Sequence, residues 1–193
     1  PLACCVKGVR DAGVGERDRV LVVGAGPVGL MLIRLCALTG ARVTAAARRA
    51  EALLVAATQG AQETVALEPG EADPWPKGAL EPAFDVVFDT GGVAETTALA
   101  VRAVARGGTV NLFAGCPAGT KIDLDVARVH YDELRILGSF HHTPATSREA
   151  FRLIESGVID PPKFITERKA LRDLPESLMK PLPGALKTMV LFP

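Results

Sequence analysis

Val20-Leu21-Val22-Val23-Gly24-Ala25-Gly26-Pro27-Val28-Gly29 constrains this chain more than any other stretch: a short apolar run ends in closely spaced glycines and passes directly into an amphipathic segment. A continuous apolar run rich in β-branched residues suits a parallel strand buried on both faces. Gly24 lets the chain turn tightly, Gly26 removes the side chain that would hold a pyrophosphate away from the backbone, and Gly29 lets the following helix pack close to the strand. Pro27 fits the first helical turn, where a missing N–H is harmless. Free amides and the positive end of the helix dipole then face the phosphates. This is the pattern of a dinucleotide-binding turn; the plainer alternative is a glycine turn that serves packing alone.

The rest of the chain alternates in a way that favours the first reading. Leu2-Ala3-Cys4-Cys5-Val6 and Val9 have near-helical spacing and predict a helix leading to the first strand. Val28, Met31, Leu32, Leu35, Cys36 and Leu38 share a helical face, and Gly40 closes that helix. Strands are predicted at 42–46, 63–67, 84–89, 109–113 and 134–140, and helices at 50–59, 94–105 and 147–156. Gly107-Gly108 reads as the turn between a helix and a strand. From Glu68 to Pro82 the prolines and glycines predict a surface loop, fastened by Trp75. This βαβ alternation predicts a doubly wound parallel sheet with right-handed crossovers, the Rossmann dinucleotide-binding fold. The Rossmann domain is expected over 1–157. A looser, proline-interrupted segment follows over 158–193 and ends in a strand at 186–192.

The end of the second strand departs from the usual pattern. An acidic residue about 20 positions past the glycines normally accepts hydrogen bonds from the ribose hydroxyls. Here the place holds Ala47-Arg48-Arg49. No carboxylate is present to repel a 2′-phosphate, and two guanidinium groups are available to pair with one. The expected cofactor is therefore NADP, with NAD as the alternative. Arginine at a helix start is electrostatically disfavoured, which weighs against reading this pair as merely solvated.

At 193 residues the chain can hold one substantial core, or one domain and a piece of another. Its 22 basic and 22 acidic residues give no reason to expect nucleic acid or an anionic membrane as partner. No apolar stretch approaches the roughly 20 residues that span a bilayer. Without an initiator methionine or a signal peptide ahead of Pro1, the sequence reads as part of a longer, cytoplasmic chain. Cys4, Cys5, Cys36 and Cys116 lack zinc-knuckle spacing and read as reduced packing residues. His130, His141 and His142 form no helical metal motif, so no metal site is expected. Asp85 and Asp89 read as caps of strand and turn. Tyr131 and Lys121 lack the spacing of a catalytic pair. An uncovered apolar edge at 134–140 predicts a homo-oligomer.

The sequence resembles the medium-chain dehydrogenase/reductases, especially their zinc-dependent polyol, sorbitol and threonine dehydrogenase branch. The resemblance runs along essentially the whole chain. It is carried by Pro1-Leu2-Ala3, by 18–29 with its glycine turn, by Phe84-Asp85-Val86-Val87-Phe88-Asp89, Gly107-Gly108-Thr109, Leu137-Gly138-Ser139-Phe140 and Leu186-Lys187-Thr188. It implies that Gly24, Gly26, Pro27, Val28 and Gly29 hold the pyrophosphate and that Ala47, Arg48 and Arg49 select the ribose. It further implies that Thr90 and Gly91 lie by the adenosine half, that Phe113, Ala114, Gly115, Ser139 and Phe140 lie near the nicotinamide, and that Lys187 reaches the pyrophosphate. His141 stands where polyol dehydrogenases often carry arginine. In that family the catalytic zinc is held in an N-terminal domain, upstream of the Pro-Leu-Ala match, and the segment 158–193 resembles the return into that domain.

The resemblance thus implies the cofactor-binding portion of an NADP(H)-dependent, zinc-dependent alcohol or polyol dehydrogenase acting on a small alcohol or carbonyl substrate. No catalytic residue is assigned to this stretch, which alone is expected to bind cofactor without catalysis. Two other readings remain at this point: a stand-alone nucleotide-binding sensor or interaction module, and a Rossmann-like methyltransferase.

Overall fold

The computed structural model describes residues 1–68, 75, 83–179 and 186–192. They divide into two compact units, Pro1–Ala150 and Phe151–Pro193. In the first, helix α1 (Leu2–Ala12) precedes β1 (Arg19–Val23), α2 (Pro27–Leu38), β2 (Arg42–Ala47), α3 (Ala50–Thr58) and β3 (Glu63–Ala66). Then come β4 (Phe84–Asp89), α4 (Ala94–Ala103), β5 (Val104–Leu112), α5 (Val126–Tyr131) and β6 (Arg135–Gly138). Helix α6 (Pro144–Glu155) spans the boundary between the units.

The strands form one six-stranded sheet in the order β3-β2-β1-β4-β5-β6, with every neighbouring pair parallel. Alternate residues of a strand face opposite sides, yet Val20, Leu21, Val22 and Val23 are all fully buried. Both faces of β1 are therefore covered, as its unbroken apolar run requires. Helix α2 packs on β1 and β2, α3 on β2 and β3, and α4 on β1, β4 and β5. Trp75 joins the core made by Leu21, Val23, Val87, Leu99 and Val104. The remainder of the expected 68–82 loop, apart from Glu68, lies outside the described residues.

Strand order reverses between β1 and β4. The chain runs outward from β1 through β2 to β3, then returns to lay β4 on the other side of β1. Crossovers on the two sides of this junction diverge, and the crevice between them, beyond the carboxyl ends of the strands, is where ligands of such sheets bind.

Two sequence expectations need correction here. Gly107-Gly108 is not a turn ahead of a strand. Strand β5 begins at Val104, where α4 ends, and its register against β4 shifts between the Phe84–Val104 and Val86–Thr109 pairs. Gly107, at φ +72°, lies inside this irregularity. The expected edge strand 134–140 is shorter, because only Arg135–Gly138 pair with β5.

The second unit holds β7 (Glu167–Ala170), the short helix α7 (Leu174–Met179) and β8 (Thr188–Leu191), with 3-10 turns at Pro161–Lys163 and Leu171–Asp173. Strands β7 and β8 pair in parallel as a separate two-stranded sheet. Thr188 donates to Glu167 across this pair at 2.6 Å. No helix among the described residues is long and apolar enough to cross a membrane.

Candidate functional site

The glycine turn lies where β1 feeds α2, and each glycine meets a different demand. Gly24 has φ +105°, and a Cβ built there would stand 2.4 Å from Thr90 Oγ1; its N–H donates to the Ala46 carbonyl at 2.7 Å. A Cβ at Gly29 would stand 2.0 Å from the Gly24 carbonyl oxygen, so helix and turn touch backbone to backbone. A Cβ at Gly26 would meet nothing within 4 Å. Gly26 has φ −75° and ψ −177°, which any residue can adopt. The absent side chain at Gly26 is therefore needed neither for backbone conformation nor for packing; it leaves open the approach to the first turn of α2. Gly26 is the N-cap and Pro27 stands in the first turn, with no side chain hydrogen-bonded to the helix start. The amides of Val28 and Gly29 are thereby left facing the approach that a pyrophosphate needs.

Thr90 clips this turn to β4. Its hydroxyl lies 2.8 Å from the Val23 carbonyl and 3.1 Å from that of Gly24. The neighbouring Asp89 is fully buried and organises the next turn: one oxygen accepts from Gly91 N–H at 2.9 Å and the other from Thr97 Oγ1 at 2.7 Å. Its carbonyl accepts from the amides of Phe113 and Ala114 at 3.0 and 2.9 Å. The expectation that Asp89 caps a turn is met, and Asp89 also ties the end of β5 to that of β4.

On the β2 side, Ala47 is buried at the strand end, while Arg48 and Arg49 are exposed. Arg49 is the N-cap of α3, in extended conformation. Arg19 is paired with Asp85 at 3.0 Å and Arg42 with Glu63 at 2.5 Å. Arg48 and Arg49 have no such partner among the described residues. Two uncompensated guanidinium groups thus stand at the end of β2, beside the strand that leads into the glycine turn.

On the β5 and β6 side, Phe113 and Ala114 are half-buried and Gly115 is exposed. A Cβ at Gly8 of α1 would stand 2.6 Å from the Phe113 ring. Ser139 is buried and Phe140 is 80% exposed. The Phe140 ring lies against His141, their centroids 3.8 Å apart. The structure thus brings Gly24, Gly26, Pro27, Val28, Gly29, Thr90, Gly91, Phe113, Ala114 and Gly115 to the ends of β1, β4 and β5, flanked by Ala47, Arg48 and Arg49 and by Ser139 and Phe140. Lys187 belongs to the second unit, where it is exposed just ahead of β8 and its carbonyl accepts from the Thr166 amide at 3.1 Å.

Sequence reasoning missed Asn111 and Asp11. Asn111 is fully buried on β5, and its Oδ1 has no hydrogen-bond partner among the described residues. A lone asparagine in an apolar strand was the available signal. Among the described residues no cluster of histidine, cysteine or carboxylate side chains could hold a metal ion.

A six-stranded parallel sheet of this order, with a glycine turn at its switch point and an open helix start, defines a dinucleotide-binding domain of the Rossmann type. The family model for zinc-binding dehydrogenases matches residues 27–156. The chain belongs to that family. It is 33% identical over 202 residues to L-arabinitol 4-dehydrogenase of Hypocrea jecorina, covering 98% of this chain and 52% of that one. It is 30% identical to D-arabinitol dehydrogenase 1 of Uromyces fabae, covering 93% of this chain and 53% of the relative. Among solved structures it matches a protein from Sinorhizobium meliloti, described as a zinc-binding dehydrogenase and bound to NADP. That match has a TM-score of 0.90 and 33% identity, and covers 99% of this chain and 57% of the other. The chain spans about half the length of the curated relatives it matches.

Proposed function

We propose that this chain is the cofactor-binding portion of an NADP(H)-dependent polyol or alcohol dehydrogenase. The observation that carries the proposal is the open Gly26 cradle at the start of α2 together with two arginines, without an ion-pair partner among the described residues, where a ribose-binding carboxylate would stand. Val28 and Gly29 offer backbone donors to the pyrophosphate, and Gly24, Gly26 and Pro27 shape the turn that presents them. Arg48 and Arg49 offer planar donors to a 2′-phosphate. The NADP found in the Sinorhizobium protein and the arabinitol activities named for the relatives support the same reading. A bound nicotinamide would supply the hydride acceptor or donor for an alcohol–carbonyl interconversion.

The described residues hold, orient and shield such a cofactor. The ligands of any catalytic zinc belong, on this reading, to the part of the relatives that this chain does not match. Residues 158–193 resemble the family's segment that returns into that part, and for Lys187 that resemblance implies a role towards the pyrophosphate.

Calorimetric titration of the chain with NADPH and NADH tests the proposal. NADPH should bind tighter by about tenfold or more, a difference of about 1.4 kcal/mol. An Arg48→Ala, Arg49→Ala double variant should lose that preference and keep its NADH affinity. Equal or tighter binding of NADH by the unaltered chain would overturn the arginine argument, and binding of neither would overturn the cofactor reading of the glycine turn.

A further inference from the structure

A chain of polar groups at the carboxyl rim of the sheet is not used by the glycine turn. Asn111 Nδ2 donates to the Gly8 carbonyl at 3.1 Å and to Ser139 Oγ at 3.0 Å. A backbone carbonyl can only accept, which fixes the orientation of the Asn111 amide. Ser139 Oγ in turn donates to Asp11 Oδ2 at 2.7 Å, and that carboxylate also accepts from Lys7 Nζ one helical turn back. Every hydrogen therefore has one direction: from Asn111 to Ser139, from Ser139 to Asp11, and from Lys7 to Asp11. Burial works against ionisation of Asp11, but the hydrogen bonds from Lys7 and Ser139 and the Lys7 charge together hold its carboxyl below the usual range.

Helix α1 grips the same rim by packing. Gly8 lies against the Phe113 ring so closely that a Cβ would collide with it. Ser139 and Phe113, each just past the end of a strand, are thus both held by α1. On the cofactor reading the pyrophosphate would lie at the junction of β1 and β4, and Arg48 and Arg49, without an ion-pair partner among the described residues, would draw the adenosine half over β2. The other half of a dinucleotide must then run over the ends of β4, β5 and β6.

We propose that Asp11 is a positioning residue of the cofactor cleft: through Ser139 and Asn111 it fixes the ends of β5 and β6, against which the nicotinamide half of the dinucleotide lies. This rests on the cofactor reading above. Asp11 touches no part of the ligand, and its effect is confined to the half of the cleft that α1 braces.

The experiment compares two ligands on the 193-residue chain: NADPH, and 2′,5′-ADP, which keeps the adenosine half and its phosphate but lacks the nicotinamide. Asp11→Ala should weaken NADPH about tenfold, the scale of one charge-assisted hydrogen bond, and leave 2′,5′-ADP unchanged. Asp11→Asn keeps an acceptor for Ser139 and should restore NADPH binding to within about twofold, well below the scale of a lost hydrogen bond. Equal weakening of both ligands, or of neither, overturns the proposal, as does an unaltered chain that binds the two ligands equally. An unaltered chain that does not bind 2′,5′-ADP overturns instead the cofactor reading on which it stands.

Discussion

Gly26 and Gly29 are three residues apart in one motif, yet the structure predicts opposite consequences for the same substitution. Gly26→Ala adds a methyl group into open space at an ordinary backbone conformation. It should change stability by no more than about 1 kcal/mol, the scale of an N-cap preference, while weakening NADPH at least about tenfold, or about 1.4 kcal/mol. Gly29→Ala drives a methyl group to 2.0 Å from the Gly24 carbonyl. That overlap is relieved only by separating helix from turn, and should cost about 1–3 kcal/mol of stability. Thermal unfolding of both variants, followed by titration with NADPH, separates the two roles. A Gly26→Ala chain that unfolds early, or binds normally, would sink the cradle assignment.

The cysteines support a second test at this scale. Burial pushes the Cys5 thiol up to about 12 and raises that of Cys36 as well, so neither supplies thiolate at about pH 8. All four cysteines are free. A thiol reagent should label the half-buried Cys4 and Cys116 on the folded chain and reach Cys5 and Cys36 only after unfolding, as mass spectrometry of the labelled peptides can show. The close packing of Gly29 on the turn was legible in the sequence because its contact, Gly24, is five positions away. The Asn111, Ser139 and Asp11 chain was not, because Ser139 and Asp11 are 128 positions apart and only the sheet brings them together.

Among the elements, β2, β3 and β4 were legible in the sequence to within one residue at either end. The predicted 84–89 strand is observed as Phe84–Asp89, and 42–46 gains only Ala47. Strand β7 escaped because Glu167-Arg168-Lys169-Ala170 is neither apolar nor alternating, and it exists through pairing with β8. Helices α5 and α7 are six residues each, too short to show helical periodicity. The start of β5 was hidden because Val104 continues the apolar face of α4 and the irregularity at Gly107 resembles a turn.

The junction of β1 and β4, on which the site depends, is fastened at its amino end by Asp85. This carboxylate accepts from the Arg19 amide at 2.8 Å and from its guanidinium at 3.2 and 3.0 Å. Those hydrogen bonds hold the Asp85 carboxyl below its ordinary range, against the opposing effect of partial burial. A depressed folded value means that its contribution is fully present above the unfolded pKa of about 3.9 and is lost as pH falls through the folded value. The side chains are 51% and 39% exposed, so solvent screening limits the pair to about 0.5–1 kcal/mol. Asp85→Asn should lower stability by that amount at neutral pH and less as pH falls below 4. Denaturant unfolding across this range measures it; a constant difference at all pH values would show that the carboxylate charge contributes nothing.

For the whole molecule, the sheet ends at two edges of different character. At the β3 edge, Glu63 pairs with Arg42, which blunts that side with charge. At the other, β6 presents Ile136, 37% exposed, with no strand beyond it among the described residues. The segments flanking it expose Val126 at 71%, Tyr131 at 72% and Phe140 at 80%. Identical edges related by a two-fold axis meet antiparallel and pair their free backbone groups reciprocally, which closes the assembly at two copies. The proposal that follows is a homo-oligomer built on β6. Light scattering coupled to size exclusion should then show a dimer of the unaltered chain, and Ile136→Lys, which plants a charge on the edge, should shift it to monomer without lowering its affinity for 2′,5′-ADP. A monomeric unaltered chain, or a dimer indifferent to Lys at this position, would move the interface elsewhere. Loss of ligand binding together with dimerisation would mean instead that the β6 edge supports the cleft from within one copy.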